Sequence, residues 1–507
     1  MKAEKEAASR RLEAGDRSRR FSGLRLAALG IVAVFLGVAC GPSGEQETTE
    51  QAQALVDLLI TGGTVLSMDE SFTVYDPGYV AIVGEEIIEV GKASEAEQIT
   101  ARRRIDAKGG FVMPGLVNGH QHAPMSLLRG VADDLTLMRW LEDYIFPAEK
   151  ANVDEDFVYW GTLLSVREMI GSGTTTYADM YYFEDRVAQA TALAGMRGVL
   201  GETILGFPSP DHPDPMTALE ATRHYLQKWK GHPLIVPAVA PHSAYTCSTE
   251  VLMASKRLAD EMDVPLIIHL AEVEDEVRQI REKYGTTPTR YLEQIGFLSD
   301  RLIAAHAIWV EPEEIEILLR HGVGVIHNPE SNMKLAAGVA PVPDYLKAGL
   351  DVGIGTDGPA SNNNLDLFQE LDSAAKLHKL WRKDPTVLDA PTALSMATRL
   401  GARALGLGDL TGSLERGKRA DLILLSGARP EAAPSYDPYS TIVYSLLGSS
   451  VDTVVVNGAV VFEEGRLTKV DESELFSRVQ ELKTRIQRSL GKESGIRSQE
   501  SGRKGGE

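Results

Sequence analysis

The chain has 507 residues, which at about 150 residues per domain predicts two or three domains, with a closed α/β barrel as the long single-domain exception. A formal charge of −20 excludes a nucleic-acid partner, which needs clustered basic surface, and two cysteines, Cys40 and Cys247, exclude a disulfide framework. A hydrophobic content of 43% is that of an ordinary globular protein.

In chain order, residues 1–25 are basic, and Arg17, Arg19, Arg20 and Arg25 precede an apolar stretch from Leu26 to Ala39. That stretch, about 14 residues, suits the hydrophobic region of a signal peptide and is short for a membrane span of about 20. It ends Leu36-Gly-Val-Ala39-Cys40, which resembles a bacterial lipoprotein cleavage box, and Ser18-Arg19-Arg20-Phe21 loosely resembles a twin-arginine signal. Residues 1–40 therefore read as a signal peptide and polar residues 41–53 as a tether. The expected location is the periplasmic side of a bacterial envelope, anchored by lipid at Cys40; the alternative, an unprocessed N-terminus, leaves the protein cytoplasmic. No other segment is apolar enough to span a bilayer.

From Leu55 to Arg104, β-branched runs alternate with turn residues and predict antiparallel strands and hairpins. The same texture returns at Ala420–Leu425, Val451–Val456 and Val460–Phe462, with Asn457-Gly458 as a strong hairpin signal. Neither set buries two faces alone, so residues 54–112 and 411–470 are expected to form one small β-sandwich domain. Between them, residues 113–410 carry eight strand-like runs: Val112–Val117, Thr174–Ala178, Gly198–Glu202, Leu234–Ala240, Leu266–Leu270, Leu302–Ala305, Val323–Ile326 and Val352–Gly355. Helix-length segments such as Val153–Ile170, Thr249–Met262 and Glu311–Arg320 separate them. That alternation predicts a (β/α)8 barrel with functional groups at the C-terminal strand ends. A C-terminal helix over 471–490 and a disordered tail over 491–507 complete the expected layout.

Polar residues end those runs: His120 and His122, Asp179, His242, His269, His306, Asn328 and Asp357. His120 and His122 are separated by one residue, and side chains at i and i+2 of a strand share a face. Neutral imidazoles and a carboxylate suit zinc or a similar divalent ion with water in the last position, the signature of a metallohydrolase. Glu272, three residues past His269, is placed to move protons beside such a water.

His120-x-His122, His269-Leu-Ala-Glu272, Ala305-His306 and Gly355-Thr-Asp-Gly358 together resemble the amidohydrolase superfamily. The stretches His120–Gly130, His327–Lys334 and Gly355–Asn364 are similar to its branch of methylthioadenosine/S-adenosylhomocysteine deaminases and chlorohydrolases, over about Leu55 to Val470. The resemblance implies that His120, His122, His269 and Asp357 bind one divalent metal, zinc with ferrous iron as the alternative. The fourth strand ends Ala240-Pro241-His242 rather than in the lysine of two-metal members. It implies further that Glu272, His306 and Asp357 are catalytic, with metal-activated water attacking an amidine-like ring carbon and ammonia leaving.

For the substrate, Trp140 matches a base-stacking aromatic, Glu149 a ribose-binding carboxylate, and His242 and Ser361 groups at the base edge. Glu202 stands where homocysteine-binding relatives carry arginines, and a carboxylate there disfavours a carboxylate-bearing substrate. The expected activity is mononuclear metal-dependent deamination of a purine-like or nucleoside-like heterocycle. Its alternatives are loss of chloride or alkylamine from a triazine-like ring, or cyclic amide hydrolysis. Expected partners are the small-molecule substrate, the membrane through the lipid anchor alone, and a second copy in a homo-oligomer. Retention of every ligand with Glu272 and His306 argues against a scaffold protein without chemistry.

Overall fold

The computed structural model describes residues 55–503, with side chains to 490. The signal-like segment 1–40, Cys40 and the tether 41–53 lie outside the described residues, as do 504–507. No described helix is long and apolar enough to cross a membrane.

The N-terminal strands are β1 (Leu55–Leu66), β2 (Val74–Val83), β3 (Glu86–Lys92), β4 (Thr100–Asp106) and β5 (Phe111–Pro114). Eight strands follow: β6 (Leu116–Gln121), β7 (Thr174–Tyr181), β8 (Arg197–Ile204), β9 (Ile235–Pro241), β10 (Leu266–Leu270), β11 (Leu302–His306), β12 (Gly324–His327) and β13 (Val352–Ile354). The last four are β14 (Leu422–Leu425), β15 (Val451–Val456), β16 (Ala459–Glu463) and β17 (Arg466–Leu467).

β6 through β13 close a parallel barrel, β13 pairing back onto β6, and helices cover its outside. Val117, Val199, Ile267, Ile303 and Ile326 fill the interior, and Ala402, Leu405 and Leu407 pack against them. Each predicted run overlaps a barrel strand, with one change. The run around Val112–Val117, read as a single barrel strand, divides at Gly115: β5 pairs with β14 and β1, and β6 enters the barrel. Glycine is required there, because a Cβ on Gly115 would lie 2.1 Å from the Thr175 side chain.

The remaining strands form one nine-stranded sheet from both chain ends, ordered β17-β16-β15-β14-β5-β1-β2-β3, with β4 also on β1. β1/β2 and β2/β3 are antiparallel as predicted, but β1 pairs with β4 and β5 in parallel. The chain returns through a short helical crossover after β3 (Ala93–Gln98), which a hairpin reading does not anticipate. The sheet curls until Ile87 N donates to Lys418 O at 2.9 Å, beside an isolated antiparallel bridge between Glu86 and Arg419. Leu58, Ile60, Val80, Ile82, Leu422 and Leu424 form the core between its two layers. Asn457 and Gly458 both take positive φ, 51° and 77°, as a tight β15–β16 turn requires.

Sheet and barrel are locked by a fully buried ion pair. Arg197 Nε donates to Asp421 Oδ2 at 2.9 Å and Nη2 to Oδ1 at 3.2 Å. Removing one member strands a buried charge, so Asp421→Ala should lower stability by about 3–5 kcal/mol in chemical denaturation, and a loss under about 1 kcal/mol would refute the lock. The C-terminal helix runs Glu472–Arg503, with Leu475, Leu482 and Ile486 buried and Arg485 paired to Asp154 at 2.6 Å. The helical backbone extends past Gly491 to Arg503, over part of the stretch expected as a disordered tail.

Candidate active site

The C-terminal ends of the barrel strands bring the predicted residues together. His120 lies on β6 and His122 just beyond, their rings 4.9 Å apart and edge to face. His269 lies on β10 with its ring 4.9 Å from that of His120. Asp357 follows β13, and its backbone N donates to His120 O at 3.0 Å, which seats the carboxylate over β6. Asp357 Oδ1 is 3.4 Å from His122 Nε2 and 3.6 Å from His120 Nε2.

The tautomers are fixed by what each ring touches. His122 Nδ1 donates to Met180 O at 2.7 Å and His269 Nδ1 donates to His242 O at 2.9 Å, since a carbonyl can only accept. Both Nε2 atoms are then lone-pair acceptors, yet they face each other at 3.3 Å. Two lone pairs at that distance repel unless a cation lies between them. Burial lowers the pKa of His120, His122 and His269 and keeps the rings neutral, and His120 Nε2 is buried with no hydrogen-bond partner among the described residues. Burial would raise Asp357, but His306, aided by the hydrogen bond from Ser331, outweighs it and holds the carboxyl well below its usual range. Ser331 Oγ and Ser361 Oγ donate to Asp357 Oδ2 at 2.6 and 3.1 Å, and Gly358 N to Oδ1 at 2.7 Å. Three neutral imidazole nitrogens and one ionised carboxylate, with His122, His269 and Asp357 oriented from behind, are a donor set that fits a divalent cation.

His306 and Glu272 stand beside this cluster. His306 adopts φ +70° and Asp357 φ +60°, left-handed backbone that side-chain-bearing residues rarely take and that here turns both groups inward. His306 Nδ1 donates to Asn332 Oδ1 at 2.9 Å, which leaves Nε2 directed at Glu272 Oε1, 3.8 Å away. Burial depresses His306, but the carboxylates of Glu272 and Asp357 raise it on balance. Glu272 is buried, which pushes its carboxyl up. Its backbone N donates to Glu276 Oε2 at 2.9 Å, and Ala271 N to Glu276 Oε1 at 3.1 Å.

Trp140, Glu149, His242 and Ser361 all line the cavity that opens over the histidines. Trp140 and Glu149 come from the helical stretch 137–152 after β6. Burial pushes the Glu149 carboxyl up to about 7 although Tyr181 Oη donates to it at 2.6 Å. His242 is held neutral, its pKa lowered to about 3 by burial and the neighbouring His122 and His306. Glu202 is not brought to the cavity. Alternation along β8 turns Thr203 to it and Glu202 to the rear, where Oε2 accepts from Glu184 N at 3.0 Å. Asp179 is also structural, accepting from Ala123 N at 2.6 Å. Cys247 is a buried free thiol.

Sequence reasoning assigned no role to Tyr181, Glu276, Ser331 or Asn332. Ser331 and Asn332 lie inside the quoted His327–Lys334 stretch, and Glu276 was one of three acids opening a helix with no sign of which is buried.

Comparison with known proteins gives the arrangement its relatives. A protein named 5-methylthioadenosine/S-adenosylhomocysteine deaminase 1, from Syntrophus aciditrophicus, is 48% identical over 436 residues, 86% of this chain and 98% of the relative. Among solved structures, an adenosine deaminase from Xanthomonas campestris with bound zinc aligns at TM-score 0.84 and 37% identity, covering 86% of this chain and 99% of that one. Atrazine chlorohydrolase from Arthrobacter aurescens, complexed with zinc, aligns at TM-score 0.77 and 27% identity over 84% and 100%. The profile of the amidohydrolase family matches residues 111–461, from the sheet–barrel junction to β16, and the chain belongs to that family.

Proposed function

We propose that this protein is a hydrolase of non-peptide C–N bonds that deaminates a purine nucleoside of the adenosine or methylthioadenosine kind. The observation that carries the reading is the pair of inward Nε2 lone pairs at 3.3 Å beside Asp357 and Glu272, under a cavity walled by Trp140, Tyr181 and Glu149. Loss of chloride or alkylamine from a triazine, and cyclic amide hydrolysis, find less support, because the deaminase-named relative is 48% identical and the chlorohydrolase 27%. Ammonia release from adenosine and methylthioadenosine, measured beside chloride release from a chlorotriazine, tests this; chloride release alone overturns it.

His120, His122, His269 and Asp357 would hold the cation, and zinc is the proposed ion. A bound divalent cation supplies Lewis acidity that brings the acidity of water near neutral pH. Asp357, kept ionised, takes a proton from the attacking water as its oxygen bonds to the ring carbon. Glu272 delivers a proton to the adjacent ring nitrogen, which receives the C=N electron pair. A second proton transfer to the amino group lets ammonia leave as the carbonyl forms. His306 Nε2 faces the same point and stabilises the charge developing there. Trp140 stacks on the base, His242 and Ser361 meet its edge, and Glu149 accepts from ribose hydroxyls. Export and lipid attachment at Cys40 are proposed on the basic 17–25 stretch and apolar 26–39 run alone.

The cavity also sets the tail of the substrate. No arginine or lysine lines it among the described residues, and Glu149 is one of its buried walls. A carboxylate on the substrate therefore meets no opposite charge, an uncompensated interaction of about 2 kcal/mol or more, equivalent to about 30-fold. The kcat/KM for methylthioadenosine should exceed that for S-adenosylhomocysteine by about that factor; equal values would contradict the reading.

A further inference from the structure

Behind the cavity wall lies a second polar cluster that the deamination chemistry does not use. Asp179, Glu184 and Glu202 are at most 4% exposed, and the Asp211 side chain is 3% exposed. Among the described residues no lysine or arginine forms an ion pair with any of the four; the basic side chain beside them is His212. His212 Nε2 lies 3.8 Å from Glu202 Oε1 and 3.7 Å from Asp211 Oδ2. Phe183 N donates to Asp211 Oδ2 at 2.8 Å and Glu184 N to Glu202 Oε2 at 3.0 Å, so the positive end of helix Glu184–Ala194 meets part of the charge. That end carries only about half an elementary charge, too little for the whole cluster. Glu202 Oε1, the atom nearest His212, is fully buried and has no hydrogen-bond partner among the described residues.

We propose that Glu202, Asp211 and His212 form a second divalent-cation site, distinct from the one at the barrel mouth. One ligand atom from each of the three lies within 4.8 Å of the others. Donors at about 2.0–2.2 Å in a tetrahedron stand about 3.3–3.6 Å apart, so His212 Nε2, 3.8 and 3.7 Å from the two carboxylate oxygens, needs only a few tenths of an ångström of movement to share an ion with either. Two carboxylates and an imidazole suit zinc or manganese. His212, 16% exposed at its side chain, gives an entry path from solvent.

The site would tie two pieces of cavity wall together. Tyr181 and Tyr182 immediately precede helix Glu184–Ala194, and the loop with Asp211 and His212 carries Phe207, whose ring lies 6.1 Å from that of Phe146 in the cavity wall. The cation is thus structural for the substrate-binding surface.

The test uses full-length protein equilibrated with zinc and, separately, with manganese. It combines metal content after dialysis with anomalous diffraction at each metal's absorption edge. The expected result is two ions per chain with one or both metals, the second within bonding distance of Glu202, Asp211 and His212. His212→Gln and Asp211→Asn should each reduce the content from two ions to one, leaving the peak at His120, His122, His269 and Asp357. A single ion at the barrel mouth under both metals overturns the proposal, as does a second ion that survives both substitutions; the cluster is then a set of protonated carboxyls.

Discussion

Asp357→Asn is expected to abolish turnover by removing the cation, lowering kcat/KM by on the order of 10^4-fold or more, about 5.5 kcal/mol. The replacement keeps the volume and an oxygen for Ser331, so the surrounding packing stays as it is. What it removes is the negative charge. Asp357 is the anionic member of the converging donors, and His120, His122 and His269 are buried and neutral. Three neutral imidazoles in a dry site hold a divalent charge far less well than the same three with a carboxylate. The substitution also removes the group proposed to take the water's proton, so adding excess metal should restore metal content before it restores rate. Metal analysis and steady-state kinetics on the same preparation check this. A variant that keeps stoichiometric metal and more than about a tenth of the turnover would remove Asp357 from both roles.

The barrel was readable because each strand is a short apolar run ending in a polar residue, and such runs bounded by helical periodicity have one closed solution. The i, i+2 pair His120 and His122 was readable for the same geometric reason. The split of 111–121 at Gly115 was not, because an apolar run shows how many residues extend and not which sheet receives them. The parallel ladders of β1 with β4 and β5 depend on a crossover whose direction is set by packing. Glu202 was assigned to the cavity from its place at a strand end, but strand ends present two faces, and one residue of register separates wall from rear. Glu276, Ser331, Asn332 and Tyr181 act by holding other side chains, and such partners are set by tertiary contact. The proposed ligands therefore stand out in sequence by residue type, whereas the groups that orient them look like ordinary polar residues.

Glu272→Gln should separate chemistry from metal binding. The Glu272 carboxyl faces His306 Nε2 at 3.8 Å and is not among the donors that converge with Asp357, so metal content should equal that of the unchanged protein. Glutamine fills the same buried volume and leaves the Ala271 and Glu272 backbone N–H groups bonded to Glu276. It cannot exchange a proton with the ring nitrogen, and proton transfer by a positioned carboxyl contributes about 10^2–10^4-fold. Turnover should fall by that factor, with KM for methylthioadenosine changing by no more than about threefold, because Trp140 and Glu149, proposed to hold the substrate, are left unchanged. Burial raises the Glu272 pKa, which favours the protonated carboxyl that donates to the ring nitrogen, and this is lost with the ionisable group. If the variant loses its metal together with its activity, Glu272 is a ligand. If it turns over within about tenfold of the unchanged protein, the proton takes another route, and His306 is the group left in reach.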